Sequence, residues 1–336
     1  MLYLTDESKI ITQYADKFKQ KKILFSGNIQ DQIFLKIISK KITIHIQKCY
    51  NNILLYKKNN NICFRMLPRY NMIKNCDTVI FFLLRSKIEL IFQLIYICSK
   101  LSTKKEIFVV GKNKCGINSI QNIFKAWIQF KKIIYKKKCA LYHGTIKKIP
   151  NFDLKKYFRQ YIIYNTKIVT LPGVFDYKKL DIGSKLMIDS FNKNITGKIL
   201  DIGSGSGVLS AVLKKCSPST KITLVDNNST ALFCSKYTFR INKIIGKIHY
   251  SNIFSHVCNK FNVIITNPPT HYSNCNNLSI IYKIIKESKK FLYKNGKLRI
   301  VLHSNISCKN IFMKYFGNYK ILNTKKHFNL YEVIYK

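Results

Sequence analysis

The 336-residue sequence predicts an α/β fold built from two tandem doubly wound domains. In its second half, short apolar runs alternate with longer patterns of helical spacing, which is typical of a parallel sheet made of βαβ units. The first half repeats this plan more faintly. A chain of this length in which 47% of the residues are hydrophobic can bury the cores of two ordinary domains.

The elements of the second half follow from the spacing of its apolar residues, since strands give short runs and helices give amphipathic patterns. Strands are predicted over 197–203, 221–226, 247–253, 261–267 and 296–303, and helices over 207–216, 229–242 and 278–293. Residues 318–336 have the pattern of a closing hairpin. Together these elements predict a seven-stranded mixed sheet with an antiparallel C-terminal hairpin.

The first half has counterparts of three of these segments. KKILFSGNIQD (21–31) corresponds to GKILDIGSGSG, NCDTVIFFLLRSK (75–87) to KFNVIITNPPTHY, and KKEIFVVGKNKCG (104–116) to NGKLRIVLHSNIS. The first copy keeps one glycine of three and has no Asn-Pro-Pro. It is therefore interpreted as a degenerate duplicate without the chemistry, although two unrelated α/β domains could share such patterns. We place the first domain at 1–160 and the second at 170–336.

The net charge of +44 is typical of a protein that binds nucleic acid, because lysine and arginine neutralise phosphates. Only six of the 59 basic residues are arginine, however, and an AT-biased genome is an alternative source of so many lysines. Either way, the positive field attracts RNA. The plausible phosphate contacts are Lys136 to Lys138, Arg65 and Arg69.

Composition also argues against several classes of protein. The 11 cysteines include no C-x-x-C pair, so neither a zinc site nor a redox motif is indicated, and we expect no metal. The most apolar region, 79–98, is interrupted by Arg85, Lys87 and Glu89 and is too short for a membrane span. The N-terminus lacks a signal-peptide pattern. We therefore expect a cytoplasmic protein that does not enter a membrane.

The segment DIGSGSG, from Asp201 to Gly207, places three glycines at alternate positions between a strand and a helix. Such a loop lets backbone N–H groups approach a ligand closely and directs a helix N-terminus at it. The loop alone is also compatible with tight packing. A dinucleotide site would prefer G-x-G-x-x-G, and Asp201 would be unfavourable beside a pyrophosphate.

Two further strand ends suggest a nucleoside pocket. Asp226 ends the next strand, where a carboxylate can accept hydrogen bonds from both ribose hydroxyls; a turn residue or helix cap is the alternative. Asn252 follows the strand after that, and its amide offers a donor and an acceptor to adenine. In open α/β sheets, ligands bind outside the carboxyl ends of the strands, where both residues are expected.

The fourth strand end reads Asn267-Pro268-Pro269, and the two prolines must stop the strand because neither has an N–H for the ladder. With the loop, Asp226 and Asn252, this motif resembles class I methyltransferases, which use S-adenosyl-L-methionine and here would act on a planar amine. More narrowly, LPGVFDYKKLDIGSKL, GKILDIGSGSGVLS, NPPTHY and GKLRIV, with ILFSGNIQD, EIFVVGKNKCGI and CALYHG, resemble the ribosomal RNA small subunit methyltransferase C family.

The resemblance covers the chain from about residue 7 to the end and implies two Rossmann-like methyltransferase domains. It implies methylation of the N2 amine of guanine 1207 in 16S ribosomal RNA, with the small (30S) ribosomal subunit as partner, by a monomer. The implied cofactor residues are Asp201, Gly203, Gly205, Gly207, Asp226, Asn252 and Asn267. Asn267 and the Pro268 carbonyl would hold the target amine in the frame made with Pro269, and Gly183 and Ser184 would help close the pocket.

Three residues after the motif carry separate expectations. The family usually has phenylalanine after the two prolines, but here the residue is Thr270, so the expected stacking ring is absent. Tyr272 is the candidate replacement. His271 is a candidate base because its ordinary pKa is near neutrality, although it could equally hold the loop in place.

Two other functions remain open at this point. Asn-Pro-Pro also occurs in adenine-N6 and protein glutamine-N5 methyltransferases. A catalytically degraded ribosome-assembly or RNA-binding protein would explain the missing ring, but it would not explain the intact glycines, Asp226 and Asn267.

Overall fold

The computed structural model describes residues 3–48, 61–269 and 275–336. The chain divides into two compact units, Met1–Tyr157 and Phe158–Lys336. Residues 158–170 contain an antiparallel ladder that packs on a helix of the second unit, so this segment belongs to that unit.

The first unit contains one mixed sheet with strand order β3-β2-β1-β4-β5-β7-β6. The pairs β5–β7 and β6–β7 are antiparallel, and the other neighbours are parallel. The strands are β1 (Lys22–Gly27), β2 (Lys41–Ile46), β3 (Ile62–Phe64), β4 (Thr78–Phe82), β5 (Glu106–Lys112), β6 (Ile128–Lys136) and β7 (Cys139–Ile146). The helices are α1 (Asp6–Thr12), α2 (Tyr70–Lys74), α3 (Lys87–Lys100) and α4 (Ile120–Phe124).

The second unit begins with the ladder of β8 (Arg159–Ile163) and β9 (Thr166–Thr170). Its main sheet has the order β12-β11-β10-β13-β14-β16-β15. These strands are β10 (Lys198–Ile202), β11 (Lys221–Asp226), β12 (Lys247–Tyr250), β13 (Phe261–Thr266), β14 (Leu292–His303), β15 (Lys320–Lys325) and β16 (Phe328–Ile334). The helices are α5 (Ile182–Ile188), α6 (Val208–Cys216), α7 (Ser229–Ile241), α8 (Cys275–Ser288) and α9 (Lys309–Phe316).

The two seven-stranded sheets have the same strand order and the same antiparallel end, which confirms the predicted fold and the predicted duplication of its plan. β10 lies between β11 and β13, all parallel, and its apolar residues are buried on both faces. This arrangement explains its short continuous apolar run. It also brings the carboxyl ends of β10, β11 and β13 together at one edge of the sheet.

Predicted boundaries of α8, β14 and β12 are wrong. The predicted helix 278–293 ends at Ser288, and β14 already begins at Leu292 and reaches the predicted strand through an irregular register. Leu292 is fully buried and Phe291 stacks on Phe254, so packing takes these residues out of the helix. The predicted strand 247–253 ends at Tyr250, because Ser251 Oγ donates to the Ile253 carbonyl (2.8 Å) and closes a turn.

The described part of the chain contains no helix that is both long enough and apolar enough to cross a membrane. Nine cysteines have described side chains; all nine are free thiols, and five of them are buried.

Candidate active site

The glycine loop after β10 is open toward its outer side. Gly203, Gly205 and Gly207 have φ values of +71°, +56° and +78°, which other L-residues adopt at a cost. A Cβ placed on Gly203 or Gly205 would find no heavy atom of the described residues within 4 Å, whereas one on Gly207 would lie 3.1 Å from Ser235 Oγ. The first two glycines thus leave room for a ligand, and the third allows α6 and α7 to pack.

Asp226 fixes this loop in place. Its Oδ2 accepts a hydrogen bond from the Gly205 N–H (2.9 Å), and its Oδ1 accepts one from the Asn228 N–H (2.8 Å). The residue keeps 9% of its surface exposed. The protein therefore fixes the orientation of this carboxylate beside the glycine loop.

Asp201 lies in β10, two residues before Gly203, and only 1% of its surface is exposed. Its Oδ2 accepts a hydrogen bond from Ser210 Oγ at 2.7 Å. Burial raises the pKa of Asp201 to about 7, and the nearby charge of Asp226 adds to this effect. A cation placed near this carboxyl would stabilise its ionised form.

Asn252 lies two residues beyond Tyr250, which pairs with Asp226 in the parallel ladder. Its N–H donates to Ser255 Oγ (2.9 Å) and its carbonyl accepts from the Ser255 N–H (3.2 Å), so the turn holds the residue at the same sheet edge. The side chain is half-buried. It therefore lies just beyond the carboxyl end of β12, the strand next to β11.

Asp181 and Ser184 hold the carboxamide of Asn267 in an arrangement that we call the Asn267 clamp. The Nδ2 of Asn267 donates to Asp181 Oδ2 (2.9 Å) and to Ser184 Oγ (3.0 Å). Both amide hydrogens are thereby used. Oδ1 is therefore the atom of this side chain that can accept a hydrogen bond from a substrate. Pro268, which follows, is buried and Pro269 is exposed. The roles predicted for Thr270, His271 and Tyr272 concern residues outside the described ranges.

Gly183 leaves the space that this clamp needs. A Cβ at this position would lie 2.9 Å from Asn267 Oδ1, 2.9 Å from Asp181 Oδ2 and 2.9 Å from Val301 Cγ1. Such distances are shorter than real Cβ atoms show. The resemblance implies that Gly183 and Ser184 help close the pocket; in the structure, Ser184 Oγ accepts a hydrogen bond from the Asn267 amide, and Gly183 lies directly beside that amide.

Sequence reasoning missed two acidic residues of this clamp. Asp181 is the N-cap of α5, where its Oδ2 accepts from the Ser184 N–H (3.1 Å) as well as from Asn267. The D-x-x-S pattern before an apolar run was an available signal for this cap. Asp176 accepts from Ser184 Oγ (3.4 Å), and burial together with Asp181 raises its pKa to about 7. Only the tertiary structure reveals Asp176.

The equivalent edge of the first unit is filled by protein. A Cβ on Gly27, which ends β1 as the glycine loop ends β10, would lie 2.0 Å from the Phe82 carbonyl oxygen. His45 at the end of β2 is buried between Ser26 Oγ (2.8 Å), which donates to Nδ1, and the Arg65 carbonyl (2.9 Å), which accepts from Nε2. Burial lowers the pKa of His45 to about 4, so the ring is a neutral packing element.

Among the described residues, no group of three or more histidine, cysteine, aspartate or glutamate side chains is arranged to hold a metal ion. The polar groups at the carboxyl edge of the second unit are instead suited to hydroxyls, amines and amides.

Comparison with known proteins assigns both units. The sequence model of the methyltransferase small domain matches residues 165–332, and that of its N-terminal domain matches residues 8–161. The chain is 42% identical to ribosomal RNA small subunit methyltransferase C of Buchnera aphidicola subsp. Acyrthosiphon pisum, with all of each chain covered. It is 33% identical to the protein of that name from Hamiltonella defensa, with 98% of each chain covered.

The fold also matches a solved structure. A T. thermophilus 16S rRNA N2 G1207 methyltransferase in complex with AdoMet and guanosine superposes with a TM-score of 0.82, covering 99% of this chain and 93% of that one, at 15% identity. That likeness establishes the two-domain fold. The matched sequence models and relatives confirm the resemblance found in the sequence: the chain belongs to the ribosomal RNA small subunit methyltransferase C family and is an S-adenosyl-L-methionine-dependent methyltransferase.

Proposed function

We propose that this protein methylates the N2 amine of guanine 1207 in 16S ribosomal RNA and that its substrate is the small (30S) ribosomal subunit. The observation that carries the proposal is the clamped Asn267 carboxamide, which presents an acceptor oxygen at the same sheet edge as an open glycine loop. The relatives are named ribosomal RNA small subunit methyltransferase C, which supports ribosomal RNA of the small subunit as the target. The choice of guanine 1207 follows from the family resemblance of the motifs. We further propose that the enzyme works as a cytoplasmic monomer.

The cofactor site consists of the open loop and the carboxyl ends of β11 and β12. The free space over Gly203 and Gly205 fits a ligand close to the backbone, and Asp201 supplies the negative charge that an ammonium group requires. Asp226 accepts the ribose hydroxyls and Asn252 contacts adenine. When bound, S-adenosyl-L-methionine supplies a methyl group that its sulfonium already activates.

Asn267 and the Pro268 carbonyl orient the target amine. The lone pair of an exocyclic guanine amine is delocalised into the ring, which makes the amine a weak nucleophile. Two acceptors on its N–H groups hold it in line with the methyl group and favour the pyramidal geometry of attack. Because Asp181 and Ser184 fix the Asn267 amide, this acceptor is oriented before the substrate arrives. Orientation of this kind can contribute about 7 kcal/mol or more to lowering the barrier.

Transfer of the methyl group requires no strong base. The amine becomes acidic once it carries the methyl group, so its proton can leave afterwards. His271 remains a candidate for receiving that proton. In our proposal the frame of Asn267, Pro268 and Pro269 holds the target amine for attack, and Tyr272 supplies the stacking face that Thr270 lacks.

The first unit supports RNA recognition rather than chemistry. Its copy of the cofactor edge is closed at Gly27 and His45, while its surface retains exposed cations such as Arg65, Arg69 and Lys136 to Lys138. A flipped guanine has lost its stacking, at a cost of a few kcal/mol, and contacts to the surrounding phosphates can offset this.

The alternatives raised by the sequence are not favoured. Adenine-N6 and glutamine-N5 methylation share the Asn-Pro-Pro motif, but the relatives that match along the whole chain are ribosomal RNA enzymes. A degraded binding protein is opposed by the intact loop and by the ordered hydrogen bonds around Asn267.

The test supplies radiolabelled S-adenosyl-L-methionine with unmodified small subunits, naked 16S RNA, transfer RNA and a release-factor protein in parallel. We expect label in the small subunit, on N2 of guanine 1207 after nuclease digestion. Label confined to release factor would refute the RNA assignment. No label in any substrate, together with no cofactor binding by calorimetry, would favour a degraded protein.

A further inference from the structure

A basic hairpin tip lies at the same sheet edge as the methyl-transfer site. β16 is antiparallel to β14 and β15 is antiparallel to β16, so β15 ends at the carboxyl edge where β13 ends. The turn that follows β15 contains Lys326 and His327, and both residues and Lys325 are exposed. The tip therefore presents two lysine side chains and one imidazole ring at the edge of the sheet where Asn267 lies.

Along β14, His303 lies between the Asn267 clamp and the hairpin tip. Thr266, the last residue of β13, pairs with Ile300, and the side chain of Val301 borders the space beside Gly183 and Asn267. His303 follows Val301 by two residues on the same face of β14, which places it about 7 Å farther along the strand. It is thus the next side chain outward from the pocket on that face.

The two histidine rings are stacked. Their centroids are 5.6 Å apart with an interplanar angle of 12°, and Phe328 meets the His303 ring edge-on at 5.4 Å. Nδ1 of His303 accepts from the Asn305 N–H (3.4 Å), and the Ser304 N–H donates to the His327 carbonyl (2.8 Å). His327 is the outer, exposed ring of the group.

The duplicated hairpin in the first unit provides an internal comparison. There the Asn113 N–H donates to the Lys138 carbonyl (2.9 Å), as Ser304 does to His327, and Lys112 pairs with Cys139 as His303 pairs with Phe328. Lysines therefore occupy both histidine positions. The basic tip occurs in both units, but the ring pair occurs only in the unit with the site.

We infer that the tip of β15–β16 binds the RNA strand next to the target guanine: a neighbouring base stacks on His327, backed by His303, and Lys325 and Lys326 contact phosphates. The inference rests on the proposed function. Single-stranded RNA is commonly bound through aromatic rings that stack on bases and cations that follow the backbone. Such a platform offers a stacking face in a protein that has threonine at position 270.

The experiment measures methyl transfer to unmodified small subunits, with kcat and KM separated, and equilibrium binding of an RNA fragment containing the target guanine at saturating S-adenosylhomocysteine. His327→Ala is expected to raise the RNA Kd and KM roughly tenfold, as loss of one stacked base does. His327→Phe keeps a stacking ring and should stay close to wild type. In a salt series, Lys325→Ala/Lys326→Ala should lower the slope of log K by about 0.7 per lost phosphate contact.

The matched control is Lys221→Ala/Lys247→Ala, which removes two exposed lysines at the amino ends of β11 and β12, on the opposite edge of the sheet. This variant should bind RNA as wild type does, and all variants should bind cofactor equally. If His327→Ala keeps the wild-type Kd and KM, or if the two lysine pairs behave alike, the inference is overturned. If wild-type protein itself does not methylate small subunits, the proposed function fails instead.

Discussion

Gly183→Ala is the most specific perturbation of the Asn267 clamp. The added Cβ would lie 2.9 Å from Asn267 Oδ1, Asp181 Oδ2 and Val301 Cγ1, whereas ordinary van der Waals contact begins at 3.4 Å. To restore ordinary contact, each of these three atoms must therefore move about 0.5 Å away from the new Cβ. A 1 Å misplacement can cost about 100-fold in rate, so displacing the acceptor oxygen by half that distance should lower kcat roughly tenfold.

The assay measures kcat for small subunits and the cofactor Kd by calorimetry. The φ of Gly183 is not in the left-handed region, and alanine is favoured over glycine inside helices by roughly 0.5–1 kcal/mol, so the backbone should tolerate the change. The cofactor Kd should stay unchanged. Lys185→Ala, at an exposed position of α5, controls for altered helix propensity. A Gly183→Ala enzyme with wild-type kcat would refute the role assigned to the clamp.

Three further outcomes are expected. Asn267→Ala should lower kcat about 100-fold or more while cofactor binding persists, since it removes the oriented acceptor; unchanged turnover would exclude Asn267 from that role. Asp226→Asn should raise the cofactor Kd about tenfold by removing the charge from two hydrogen bonds, and an unchanged Kd would remove Asp226 from the ribose site. The pKa of Asp201 near 7 means that its carboxyl is largely neutral below pH 7, so cofactor affinity should increase as the pH rises through 7, and Asp201→Asn should show weaker and flatter binding. Calorimetry from pH 6 to 8 would contradict this if both proteins gave the same profile.

The raised pKa of Asp201 also has a consequence for stability. A folded-state pKa of about 7 against an ordinary value of 3.8 means that the folded protein binds more protons than the unfolded chain between these pH values. The contribution of Asp201 to the free energy of unfolding therefore declines as the pH rises from about 4 to about 7. Asp176 has the same sign for the same reason, because burial and Asp181 oppose its ionisation.

Much of the fold was predictable because runs of β-branched residues and the glycine-containing turns between them indicate, from local sequence alone, the strands of a parallel sheet. β11 was predicted with its observed ends, since Asp226 both ends the apolar run and binds backbone N–H groups of the following loop and turn. The end of α8 was not predictable, because its helical spacing continues past Ser288 and only the burial of Leu292 in the sheet decides the change.

The residues of the site likewise fall into two groups: those that local sequence motifs indicate and those that only tertiary contacts reveal. Gly203, Gly205, Asp226 and Asn267 occur in contiguous motifs, so the sequence could nominate them. Asp176 has no motif of its own, and its place in the clamp depends on the burial and folding of the segment between β9 and α5. Asp181 could have been recognised as a helix cap, but its second hydrogen bond, to Asn267, joins residues 86 positions apart.

The two units show how few residues at the strand ends distinguish an open sheet edge from a filled one. Both sheets have the same strand order, so the difference arises at the strand ends. At the end of β1 a single glycine packs against the Phe82 carbonyl, whereas no described residue fills the space beside Gly203 and Gly205 in the loop after β10. At the next strand, His45 occupies the interior as a neutral ring, while Asp226 binds the loop backbone. In the second unit the two features are coupled, because the Asp226 carboxylate accepts a hydrogen bond from the Gly205 N–H within the open loop. Opening the corresponding edge of the first unit to a ligand would therefore require both changes together, because either one alone would leave the edge filled or a carboxylate without its backbone partner.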